Sequence, residues 1–82
     1  MTNSIHTTEM SALCDWLKEQ RITQKLTMRD LSERLDKPHS YVQKVEQGER
    51  RLDVVEYIWY CTALKIDPHI GVQLVLATVK DQ

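Results

Sequence analysis

Between Leu26 and Leu52 the chain reads LTMRDLSERLDKPHSYVQKVEQGERRL, two short amphipathic helical patterns parted by a break at Asp36, Lys37 and Pro38. Thr27 is placed to cap the first of them, and Asp30 three residues later completes a capping box with Asp where Glu is usual. Leu31 and Leu35 are the apolar pair of this helix. Pro38 disfavours helical backbone in the residue before it and suits the first turn of a new helix, where no amide donor is needed. The second pattern then runs to about Gln47, and Gly48 fits the left-handed position that ends it. The remainder of the chain reads as support for this unit.

Elsewhere apolar residues recur at intervals of three and four, and no stretch alternates with period two, so the spacing predicts five helices, no strand and an all-α fold. The N-terminal residues 1–8 are polar and expected to be a flexible tail, with residues 9–82 forming one domain. The first helix begins near Thr7 or Thr8, with Glu9 well placed in its first turn. Its stripe is Met10, Leu13, Cys14 and Leu17 with Trp16, ending near Arg21 and Ile22. The fourth helix has the strongest start signal. Asp53 and Glu56 form a capping box, and Leu52 and Tyr57 are spaced as a hydrophobic staple. Val54, Tyr57, Ile58, Cys61 and Leu64 make its expected stripe. The fifth opens on Asp67 and Pro68 and carries Ile70, Leu74, Val75 and Val79.

Composition narrows the class of function. Eighty-two residues allow one small domain with a modest core. No apolar run approaches the ~18 residues of a membrane span, and MTNSIHTT has neither the basic nor the apolar part of a secretory signal, which makes a cytoplasmic location the expectation. Cys14 and Cys61 are far apart within apolar patterns and read as buried free thiols. His6, His39 and His69 lie in separate segments without ligand spacing, so no metal site is expected. No nucleophile with a base, no carboxylate pair and no phosphate loop marks an enzyme, a cofactor or a small-molecule ligand. The net charge is −1, but residues 25–51 hold seven Lys or Arg against five Asp or Glu. The opening segment is thus mildly basic and the rest acidic, a distribution that permits contact with nucleic acid.

On a helical wheel, Tyr41, Val42 and Val45 share the face that must pack on Leu31 and Leu35. The opposite face carries His39, Ser40, Gln43, Lys44 and Gln47, hydrogen-bonding side chains of middling length with no acid among them. Base edges in the major groove call for such groups near the N-terminal end of an inserted helix. An ordinary solvated helix face would also be polar, so this face alone leaves both readings open.

The whole pattern, L-T-x-x-x-L-S-x-x-L-x-x-P-x-S-x-V-x-x-V-E-x-G followed by an Arg pair and a capped helix ending A-L-K-I-D-P, resembles the Cro/CI-type (XRE) helix-turn-helix family over about residues 13–69. Its most telling residues are Leu26, Thr27, Leu31, Ser40, Val42, Val45, Glu46, Gly48, Ala63, Leu64 and Asp67. The resemblance implies a compact five-helix fold of the lambda-repressor type, with the helix-turn-helix at helices two and three, and binding to double-stranded DNA. It puts His39, Ser40 and Lys44 at base edges, with Tyr41 and Gln43 as neighbours at bases or phosphates. Thr27 and Met28 fall where backbone amides approach a phosphate, and Gln47, Arg50 and Arg51 where the following loop meets the DNA backbone. Arg21 and Glu46 align with a pair that forms a buried, structural salt bridge in some members, since a lone carboxylate beside Val45 would be costly. The chain departs from the family pattern at Met28, usually polar, and at the turn, where Asp36, Lys37 and Pro38 replace a glycine, an apolar residue and a Ser or Thr cap.

Trp59 lies off the stripe of helix four, and helix five is apolar on more than one face. Trp59, Leu74 and Val75 are therefore candidates for a homodimer interface. A module of this size reads few bases, and a two-fold dimer would set two recognition helices ~34 Å apart, one turn of DNA. The leading expectation is a sequence-specific transcriptional regulator of the repressor type. The alternative is an antitoxin-like protein-interaction module that binds DNA secondarily.

Overall fold

Five helices and no strand form among residues 7–79, the part of the chain that the computed structural model describes. They are α1 (Thr8–Thr23), α2 (Met28–Arg34), α3 (Tyr41–Glu46), α4 (Val54–Leu64) and α5 (Pro68–Thr78). His6 and most of the expected tail lie outside the described residues, while Thr8 already belongs to α1.

Four of the five helices start on a polar side chain that takes an otherwise orphaned amide. The Thr7 hydroxyl accepts the Met10 amide at 3.0 Å, and Asp67 accepts that of His69 at 2.9 Å, with Pro68 in the first turn. Thr27 with Asp30 and Asp53 with Glu56 form full reciprocal boxes. The exception is α3. It begins at Tyr41 rather than at Pro38, because the Tyr41 amide bonds the Pro38 carbonyl at 2.9 Å in a tight turn. Its Ser40 cap makes no side-chain hydrogen bond.

The helix ends share one closure. After α1, α2, α3 and α4 a residue turns left-handed: Lys25 (φ 61), Asp36 (φ 58), Gly48 (φ 77) and Lys65 (φ 58). The next amide then reaches five residues back, from Leu26 to Arg21, Lys37 to Ser32, Glu49 to Lys44 and Ile66 to Cys61, at 2.8–3.1 Å. This is the Schellman arrangement, and glycine adopts it without the Cβ clash that other residues carry. Asp tolerates the conformation better than most, but lysine has no such tolerance, and nothing in the sequence marks Lys25 or Lys65 for it.

The core gathers around Leu17, Leu31, Val42, Val45, Tyr60, Cys61 and Leu64, all essentially inaccessible to solvent. Helix α1 touches α3 and runs alongside α5, while α2 packs on α3 and α4. The buried side of α4 is Tyr57, Tyr60, Cys61 and Leu64, whereas Val54 is 76% and Ile58 42% exposed. Both sets satisfy the three-and-four spacing, and the larger Tyr60 takes the interior in place of Ile58. A similar correction applies to α5, whose single fully buried residue is Gly71, with Ile70, Leu74 and Val79 exposed and Val75 half-buried. A Cβ at Gly71 would stand 2.6 Å from Trp16 Cζ3 and nearer still to the Tyr57 hydroxyl, so only glycine lets these rings reach the α5 backbone. That hydroxyl donates to the Pro68 carbonyl at 2.5 Å and fastens α5 to α4.

Lys65→Gly or Lys25→Gly relieves a left-handed side chain, so each should stabilise the protein by about 1 kcal/mol and raise the melting temperature by about 4–8 °C. Gly71→Ala should act in the opposite direction, costing about 1–3 kcal/mol by overpacking. Thermal denaturation followed by circular dichroism checks both; a Gly71→Ala variant as stable as wild type would contradict the packing described for α5.

Candidate nucleic-acid interface

The six residues of α3 contain too few internal hydrogen bonds to hold a helix on their own. Three contacts from neighbouring elements hold it instead. The first is Ser32 of α2, fully buried, whose hydroxyl donates to the His39 carbonyl and accepts the Val42 amide, both at 3.3 Å. Ser32 thereby supplies, from another helix, the cap that Ser40 does not provide. The resemblance includes Ser32, but a small polar residue in an apolar stripe carried no signal of this role.

The second contact is ionic. Arg21 Nε and Nη2 donate to the two Glu46 carboxylate oxygens at 2.6 and 3.1 Å, and Arg21 Nη1 donates to the Leu26 carbonyl at 2.8 Å. With side chains 9% and 4% exposed, this bidentate pair ties the end of α1 to the end of α3 and to the start of the α2 segment. The third contact is the Cys14 thiol, which donates to the Val45 carbonyl at 3.2 Å. Burial pushes that thiol's pKa up and keeps it protonated. Both cysteines are free and buried.

Held this way, α3 turns Val42 and Val45 inward and leaves His39, Ser40, Gln43, Lys44 and Gln47 exposed. The His39 imidazole lies 3.2 Å from a Glu33 oxygen, and the same carboxylate oxygen lies 3.6 Å from Arg29. Tyr41, expected both in the core and beside the DNA, is only 8% exposed. Its ring tilts on Tyr60 at 6.5 Å, and Lys37 and Arg50 each stand 5.5 Å from its centroid. Burial, above all, raises its hydroxyl pKa.

The flanking candidates divide. Both arginines are exposed on the loop, and Arg50 forms an ion pair with Glu56. At the start of α2 the Thr27 hydroxyl takes the Asp30 amide and the Thr27 amide goes to Asp30, both at 2.9 Å. The Thr27 amide, and after it the Thr27 side chain, hold the Asp30 carboxyl below its ordinary pKa. Met28 is half-buried against the core, so its side chain serves packing. Trp59, 54% exposed, lines a hollow with Arg34, Leu35, Thr62 and Ala63. Val75 instead lines an apolar groove of about 250 Å³ with Leu13, Leu52, Val54, Val72 and Leu76. Leu74 is exposed and lines neither hollow. Among the described residues no group of His, Cys, Asp and Glu is arranged to hold a metal ion, and no helix is long and apolar enough to cross a membrane.

A helix-turn-helix family model matches residues 17–69 of this chain. Among solved structures the chain is similar to an XRE-family like protein from Pseudomonas syringae pv. tomato str. DC3000, at 36% identity and a TM-score of 0.81, over 94% of each chain. None of the curated proteins matches it.

Removing one partner of the Arg21–Glu46 pair leaves a buried charge without compensation. Arg21→Met or Glu46→Leu alone should cost about 3–5 kcal/mol, and the double variant clearly less than either. Urea denaturation of the three variants tests this. A double variant as unstable as the sum of the singles would show no coupling between the two residues and contradict the buried pair.

Proposed function

The chain belongs to the XRE family of helix-turn-helix DNA-binding transcription regulators, and on that premise we propose that it is a sequence-specific repressor that lays α3 in the major groove of double-stranded DNA. The observation that carries this reading is the outer side of α3 and its two ends, where His39, Ser40, Gln43, Lys44 and Gln47 are exposed together, with Glu33 of α2 beside His39, on a helix held in place from behind by Ser32 and Arg21.

The roles follow from chemistry. The Lys44 ammonium suits the O6 and N7 acceptors of guanine, and the Gln43 amide suits the N6 and N7 of adenine. His39 and Ser40 precede the first turn of α3, the end that enters the groove. Gln47 and Arg51 follow it, where side chains reach phosphates. At the start of α2 the amides of Met28 and Arg29 have no partner within the helix, and the backbone there can approach a phosphate oxygen. With few cations on this face, phosphate contacts per subunit should also be few.

We further propose that the protein acts in the cytoplasm as a homodimer, with half-sites ~34 Å apart. The support is α5, where Ile70, Val72, Leu74, Leu76 and Val79 are exposed and no residue from Pro68 to Val79 carries a formal charge apart from a protonated His69. Burying one of these apolar flanks against a second copy removes apolar surface from water. Trp59 lines a hollow that includes no residue of α5, which makes it the weaker dimer candidate.

Binding to the DNA upstream of the protein's own gene, measured at two salt concentrations for wild type and for Lys44→Ala, tests the reading. Wild type should bind this DNA much more tightly than unrelated duplex. Lys44→Ala should lose about 1–3 kcal/mol at the specific site if the lysine reads guanine. Equal affinity for both duplexes, or none for either, would overturn it.

A further inference from the structure

We infer that Arg50 is a positioning residue, which clamps the loop after α3 onto the helix and does not itself hold a DNA phosphate. The inference rests on the DNA-binding reading above and changes how that surface works. An exposed arginine next to a recognition helix would ordinarily be assigned to the phosphate backbone, yet this guanidinium is committed in three directions. Its Nη2 pairs with the Glu56 carboxylate, its Nη1 donates to the Arg51 carbonyl at 3.4 Å, and its plane stands over the Tyr41 ring at 5.5 Å. The main chain points the same way, because the Glu49 and Arg50 amides both bond the Lys44 carbonyl, at 2.8 and 3.1 Å.

The partners are themselves fixed. Glu56 is the third residue of α4, its side chain only 14% exposed, and its other oxygen accepts the Asp53 amide at 3.0 Å. Tyr41 is the first residue of α3, buried beneath the polar face, and Lys37 from the preceding turn stands over the same ring. One phenol thus holds cations from the loops on both sides of the recognition helix, and Arg50 passes that anchorage on to the cap of α4. Drawing Arg50 away to a phosphate would leave the Glu56 carboxylate without its cation beside a polyanion, which offsets the gain. A planar guanidinium can stack on a ring while its edge donates in a fixed fork, whereas a tetrahedral ammonium has no such plane. What Arg50 sets is the path of the loop that presents Gln47 and Arg51.

Glu56→Gln is the decisive variant, because Gln keeps the capping box while removing the charge. The probe is the duplex that the wild-type full chain selects from a randomised pool, with Arg50→Met, Arg50→Lys and Lys44→Ala alongside, all measured well below their melting temperatures. If Arg50 is a clamp, Glu56→Gln, Arg50→Met and Arg50→Lys should each weaken binding by about threefold to thirtyfold. The salt dependence should stay that of wild type, and the Arg50→Met/Glu56→Gln double variant should be no worse than either single. If Arg50 instead holds a phosphate, Glu56→Gln should bind more tightly, Arg50→Lys should bind almost as wild type, and Arg50→Met should flatten the salt slope by about 0.9. That result overturns the inference, as does lowered melting with unchanged affinity, which would make the pair merely stabilising. Failure of the wild type to select any duplex would defeat the DNA-binding reading itself, and the clamp with it.

Discussion

The buried pair between Arg21 and Glu46 determines where α3 can be. One guanidinium meets both oxygens of the carboxylate and also the Leu26 carbonyl, so three chain segments converge on one planar group. A buried pair of this kind adds little net stability compared with apolar residues of the same size, but it is intolerant of displacement. A short helix that must present side chains to a partner benefits from that intolerance. If α3 could rotate or slide, Gln43 and Lys44 would move together off any fixed target.

The same logic explains why polar groups sit inside so small a domain. Ser32 occupies a fully buried site where an alanine would fit, and its hydroxyl joins the His39 carbonyl to the Val42 amide. The turn of Asp36, Lys37 and Pro38 lacks a side-chain cap of its own and takes it from α2. Arg50 and Lys37, both over Tyr41, extend the restraint to the loops on either side. The exposed face is therefore supported by hydrogen bonds and charges at one remove, and its own side chains need not fix it.

Helix α5 follows different physics. It is attached through Gly71, packed beneath Trp16 and Tyr57, and most of its large aliphatic side chains remain outside. An isolated domain gains nothing from this exposure. The homodimer proposed above would cover this surface, on a helix other than the one proposed to meet DNA.

Much of this was legible in the sequence because it depends on local rules. Caps at Thr7, Thr27, Asp53 and Asp67, the glycine after α3 and the three-and-four spacing each act within a turn or two of the chain, and together they determined five helices in their order. The outward face of α3 was legible for the same reason, since a wheel needs only the local register. What only tertiary structure decided was which of several permitted sides went inward and where long side chains ended. Tyr60 displaced Ile58 from the core, and Gly71 became the centre of α5, because packing volume between helices settles choices that periodicity leaves equal. Lys25 and Lys65 turn left-handed although lysine has no preference for it, because helix packing required the chain to reverse there. Arg50, exposed and basic beside a polar helix, had the local features of a phosphate ligand. Its ion pair with Glu56 and its place over the Tyr41 ring, six and nine residues away, exist only once the chain has folded.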